Sequence, residues 1–160
     1  MNDLFAKNEK DYGSDYKEHL FEQYKLYVES VEKTSDRRQH ANNYFITINT
    51  ALISLIGLSF QIKFFENLAG IKLILAFVGI IICVIFWYLI RAYRQLNTGK
   101  FAVIHKIEES LPLALYRYEW GVLGEGKDEK RYYPFSHIEL LIPWIFGFIY
   151  FALGIYFVLC

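Results

Sequence analysis

The chain reads as an all-α integral membrane protein with three transmembrane helices and cytoplasmic helical extensions. Three features carry that reading. Of 160 residues, 54% are hydrophobic and 19% aromatic. The apolar residues gather into three blocks instead of recurring at core periodicity, and the charge lies mostly between the blocks. Seventeen Lys and Arg balance seventeen Asp and Glu, and with the high hydrophobic content this excludes disorder and a strongly basic nucleic-acid surface.

The first block, 44–62, is free of charge but interrupted by Thr47, Asn49, Thr50, Ser54, Ser59 and Gln61. The second, 71–90, holds only Lys72, near an end where a long side chain can snorkel to the interface. The third, 140–160, is uncharged. At about 1.5 Å per residue each covers roughly 30 Å of hydrocarbon. The polar first 40 residues lack the apolar region and cleavage site of a secretory signal, so insertion is expected to be directed by these spans.

Basic residues near span ends set orientation. Lys33, Arg37 and Arg38 precede span one; Arg91, Arg94, Lys100 and Lys106 follow span two; Lys127, Lys130 and Arg131 precede span three. Only Lys63 and Lys72 flank the turn between the first two. The expectation is a multi-pass protein with a cytoplasmic N-terminal helical arm, 1–43, and a transmembrane hairpin, 44–90. A cytoplasmic helical segment and loop follows, 91–139, and then a C-terminal span whose end lies outside. Tyr44, Phe45, Trp87, Tyr88 and Trp144 suit the inner interface, Phe64 and Phe65 the outer.

Leu20, Tyr24, Tyr27 and Val31 recur at helical spacing, and no Pro or Gly falls between Gly13 and Gly57. A helix is therefore expected to run toward span one, with Thr34, Ser35 and Asp36 the place for a break, because each can cap a new N-terminus. Asn97, Thr98 and Gly99 read as a stop after span two, before an amphipathic Phe101–Ser110 segment closed by Pro112. Ser136 and Glu139 have capping-box spacing for the last helix, which Pro143 should kink.

Membrane helices associate through small residues and interhelical hydrogen bonds, since lipid already solvates apolar side chains. Span one carries such a face in Asn43, Thr47, Thr50, Ser54, Gly57 and Gln61; span two offers Ala76, Gly79 and Cys83; span three has Gly147 and Gly154. The span-one stripe has two readings: packing against span two or a neighbouring subunit, or the lining of a pore. Its lack of charge argues against a proton relay or primary pump.

Other motifs lead nowhere chemical. Gly121 to Lys127 spells the start of a phosphate-binding loop, but Asp128 replaces the hydroxyl that would hold magnesium. His105 with Glu108 and Glu109, and His137 near Glu139, are two weak pairs that read as solvated surface and not as a metal site. Cys83 and Cys160 form no disulfide or zinc framework. No Ser, His and Asp set assembles by spacing. The chain is read as non-enzymatic, without cofactor, metal or nucleic-acid partner.

Four clusters carry a resemblance: Ser35-Asp36-Arg37-Arg38-Gln39 with Ala41-Asn42 and Asn49-Thr50; Tyr93-Arg94-Gln95-Leu96-Asn97 with Lys100-Phe101; Glu119-Trp120 with Leu123-Gly124; and Tyr133-Pro134 with Ser136, Ile138 and Glu139. Together they resemble the RipA family of octameric bacterial membrane proteins. That resemblance implies a homo-octamer in the bacterial cytoplasmic membrane, linked in pathogens to adaptation and growth inside host cells, with no catalytic residues to carry over. The first cluster is also similar to SLATT proteins, small helical membrane proteins proposed as pore-forming effectors in bacterial defence.

Physical roles follow for these residues. Arg37, Arg38, Arg91 and Arg94 are placed to meet anionic headgroups or acidic residues of a neighbouring protomer, or to anchor topology. Asn49, near mid-membrane, is expected to hydrogen-bond across helices. Trp120 is expected to pack the cytoplasmic segment. The leading expectation is a homo-oligomeric ring with a cytoplasmic collar that organises the envelope or docks a cytoplasmic protein, its other partners being lipids. The alternative is a gated channel lined by the span-one stripe, with a membrane-embedded enzyme third.

Overall fold

Two helices are each about twice as long as a bilayer's apolar layer is thick. In a computed structural model that describes residues 4–61, 69–127, 132 and 135–159, a short α1 (Glu9–Tyr12) precedes α2 (Tyr16–Ser59), α3 (Ala69–Glu108), α4 (Leu115–Val122) and α5 (Phe135–Leu159). With 44 and 40 residues, α2 and α3 extend roughly 66 and 60 Å. No strand occurs among the described residues.

Neither expected break is present. Thr34 does not cap a new helix; its hydroxyl donates to the Ser30 carbonyl at 2.9 Å, inside α2. Thr98 likewise donates to the Arg94 carbonyl at 3.0 Å, and α3 runs through Asn97 and Gly99 to Glu108. A threonine that bonds back one turn satisfies its hydroxyl within the helix, so it does not compete for the next turn's amides. The last helix likewise continues through Pro143. The expected outer turn with Lys63, Phe64 and Phe65, the run from Asp128 to Arg131, Cys160, and the side chains of Ser136 and His137 lie outside the described residues.

The chain divides into two units. The first comprises residues 1–37 and 94–134. Its organising group is Glu108, which is buried. The carboxylate accepts from the Tyr24 hydroxyl at 3.1 Å and from the Tyr116 and Arg117 amides at 2.9 and 3.1 Å. Those amides are orphan donors in the first turn of α4, whose N-cap, Ala114, has no side chain to satisfy them. Glu108 thus caps α4 from the end of α3, and a carboxylate also suits the positive end of a helix. Lys100 adds a second tie, donating to the Ser30 hydroxyl at 2.7 Å with its ammonium 5.2 Å from the Tyr27 ring.

The second unit comprises 38–93 and 135–160. Ile56, Cys83 and Tyr150, one from each of α2, α3 and α5, form its buried core, flanked by Leu52, Ile53, Leu75 and Phe146 among others. Phe45 stacks on Phe86 with ring centroids 4.7 Å apart. Among the described residues, two stretches are long and apolar enough to cross a membrane: Gly70–Glu108 and Ile138–Leu159.

Candidate functional site: two polar faces of α2

Within the second unit, α2 carries one polar face inward and another outward. Asn42, Asn49 and Ser59 are buried, at positions that share a side with Ile56. Asn43, Thr47, Thr50, Ser54 and Gly57 are all exposed on α2, and Gln61, expected on the same face, is exposed in the turn just past the helix end. The same helix therefore separates two sets of polar groups, and only the inner set has partners on other helices of its own chain.

The inner set begins at Arg38. Asn42 donates its side-chain amide to Glu139 Oε1, while Arg38 Nε stands 3.7 Å from Glu139 Oε2. Arg38 Nε and Glu139 Oε2 are buried and make no hydrogen bond, so their attraction is an ion pair without a donor shared between them. Arg38 meets an acid of its own chain, and one sequence expectation is corrected here. Glu139 is drawn into the interior by Asn42 and Arg38, and Ser136 lies inside the first turn of α5, not before it.

Further along α2, Asn49 is fully buried, and the groups around it are matched one by one. Its amide donates to the Phe45 carbonyl at 2.7 Å, its side-chain oxygen accepts from the Cys83 thiol at 3.4 Å, and its backbone carbonyl accepts from the Tyr150 hydroxyl at 3.1 Å. Unmatched polar groups in an apolar interior cost several kcal/mol, roughly 2–7. Three helices are joined at one residue. Tyr150 reaches it because Gly79 leaves room: a Cβ there would lie about 2.5 Å from the tyrosine ring. Ala76 and Cys83 are buried on the same face of α3.

The remaining small residues differ. A Cβ at Gly147 would sit 3.9 Å from that of Cys83, ordinary contact, whereas Gly154 and Gly57 have nothing within 4 Å. Thr47 and Ser54 donate to the Asn43 and Thr50 carbonyls at 2.8 Å, so those stripe hydroxyls are satisfied by their own helix. The reading in which this stripe packs on span two is corrected: α2 turns Asn49 and Ile56 to its neighbours and leaves the stripe uncovered. Arg37 and Arg91 are exposed, with the Arg91 guanidinium 5.3 Å from the Trp87 ring; Arg94 is half-buried.

Elsewhere the Gly-rich motif forms no phosphate cradle. Lys127 donates to the Glu125 carboxylate at 2.6 Å, and Gly121 belongs to α4. Trp120 is exposed, contrary to the packing role expected of it. Glu108, expected as solvated surface beside His105, is instead a buried cap, and no local spacing marks it because its partners lie eight and nine residues ahead. Among the described residues no group of three His, Cys, Asp or Glu side chains is placed to hold a metal.

The described residues are helical throughout their regular structure, and two membrane-length apolar stretches with a buried interhelical polar node fit the architecture of a helical membrane protein. A family model described as the octameric membrane protein family (8xMP) matches residues 21–159, and the chain belongs to that family. The match is consistent with the RipA resemblance, and two of the clusters that carry it, those holding Asn42 and Glu139, meet in space. No curated protein and no solved structure matches the chain.

Proposed function

We propose that this protein is a non-enzymatic homo-octamer of the bacterial cytoplasmic membrane that organises the envelope or docks a cytoplasmic partner. Each protomer crosses three times, with residues 1–43 and 91–139 cytoplasmic and the C-terminus outside. The observation that carries the reading is the stripe from Asn43 to Gly57, exposed along a helix whose opposite face is the bundle core. A polar face turned outward at membrane depth needs a protein or water neighbour. The family's octameric description supports a second copy as that neighbour. That residues 44–59 of α2 pack on both apolar helices supports a third crossing. Replacing Thr50 with Asp should reduce the mass of the detergent-solubilised assembly; an unchanged mass would take the stripe out of the interface.

A gated channel is the second reading, and one feature fixes where its path would lie. Inside the protomer the polar contacts stop at Asn49 and Tyr150, and Leu52, Ile53 and Ile56 fill the way toward Ser59. Any ion path therefore runs along the outer stripe, between subunits. Ion release from liposomes that changes in Thr50→Asp while the assembly stays intact would establish it.

A further inference from the structure

We infer that the groove between α3 and α5 of one protomer receives the outward face of α2 from a second copy, so that one head-to-tail contact, repeated, closes the ring. The inference rests on the homo-octameric reading above and names the surfaces it uses. The groove is lined by the small residues Ala76 and Gly154 and by Phe77, Phe151, Ile155 and Val158, and encloses about 320 Å³. Gly79 belongs to the same class of small-residue position, but the chain fills it with its own Tyr150 ring; Gly154 meets nothing within 4 Å. Inside one protomer, then, one glycine hole has its knob and the other does not.

A closed ring around one axis uses two different faces of each copy, because the contact is heterologous. The α2 stripe and the Gly154 groove supply two such faces. Their chemistry is compatible. The stripe carries no charge, and its Thr47 and Ser54 hydroxyls already donate to their own helix, so the stretch from Thr47 to Gly57 can enter an apolar groove without stranding those two donors. Leu58, half exposed beside the stripe, is the side chain that fills the groove, and Gly57 and Ser54 let the helices approach.

The levels agree as well. Tyr150 bonds to Asn49, and Phe60 packs on Tyr156 and Phe157 with centroids 5.9 and 5.6 Å away. Gly57 and Gly154 therefore lie at about the same height along the bundle. Copies related by an axis along the membrane normal keep that height, which brings the two glycines of neighbouring copies together.

Cysteine cross-linking in membranes tests this. The full chain carrying Cys160→Ser with Gly57→Cys and Gly154→Cys together should give a ladder of covalent oligomers on oxidation. Each single variant alone should give none, and the two singles co-expressed should give dimers only. Gly154→Phe, a side chain with open space in the protomer, should shift the purified protein from oligomer to single chain with helix content unchanged, while Gly154→Ala stays assembled. Dimers from Gly57→Cys alone would overturn the inference by showing that α2 faces α2. So would an uncross-linked double variant that remains assembled, or a Gly154→Phe oligomer that persists, even with a bound lipid lost; either assigns the groove to an acyl chain or another surface. Wild-type protein that runs as a single chain in the same lipid would overturn the homo-octameric reading itself.

Discussion

Asn42 and Glu139 are hydrogen-bonded across 97 positions of sequence, and the carboxylate they share with Arg38 is all but excluded from solvent. A buried carboxylate is tolerable only when its charge is opposed and its oxygens are engaged. Here α2 supplies the opposing charge through Arg38 and, one turn on, an amide donor for Oε1 through Asn42, while Oε2 makes no hydrogen bond. The contact fixes the first turns of α5 against α2 at the level where the cytoplasmic arm is expected to enter the membrane.

Removing one member should therefore cost more than removing the pair. Glu139→Ala should destabilise the protein by about 3 kcal/mol, the lower end for a broken buried pair because Arg38 keeps some solvent. The combination Arg38→Met with Glu139→Leu should recover most of that. Helix content followed through a titration with a denaturing detergent measures both. A single variant as stable as wild type would show the ion pair to be inert.

Gly79 is the second point of sensitivity, and the effect is expected within the protomer. An added methyl would press into the buried Tyr150 ring. Gly79→Ala should cost about 1–3 kcal/mol by overpacking, read in the same titration. Gly147→Ala, whose Cβ finds ordinary contact with Cys83, should change stability little. Equal effects at the two positions would contradict the packing described.

In the first unit, Glu108→Ala should free the Tyr116 and Arg117 amides. Loss of such a cap costs about 1–2 kcal/mol. The specific sign is faster hydrogen exchange at those two amides, with exchange in the core of the second unit unchanged. Retained protection would mean that α4 has another cap.

Alkaline pH probes the same site through Tyr24. Burial first, then the hydrogen bond to Glu108 and the charges of Glu108 and Tyr116, push the Tyr24 hydroxyl from its ordinary 10.0 up to about 12. A folded pKa above the unfolded one means that the contribution is complete below pH 10 and lost as pH rises toward about 12. Stability should fall across that window in wild type and fall less in Tyr24→Phe. Identical alkaline profiles would remove Tyr24 from the balance.

Spans two and three were legible because charge is nearly absent from them and hydrocarbon admits little else. The first block is less distinct: Thr47, Asn49, Thr50, Ser54 and Ser59 lower its apolarity, and α2 is not among the two described helices long and apolar enough to cross a membrane. Asn49 was legible as an interhelical donor or acceptor, since an amide amid apolar neighbours requires partners. Thr34 and Thr98 misled because the same hydroxyl that caps a helix can bond back within one. The meeting of Asn42, Arg38 and Glu139 was not legible, because no local pattern links residues so far apart. Nor was the Glu108 cap, whose only trace is an N-cap alanine after Pro112.

The most direct measurement is the mass of the purified full-length protein in lipid nanodiscs by native mass spectrometry, wild type beside Thr50→Asp. Eight copies in the wild type, falling to smaller species when the stripe is charged, is the predicted result. A wild-type protein present as single chains, or an octamer indifferent to an aspartate at position 50, would contradict an assembly built on the outward face of α2.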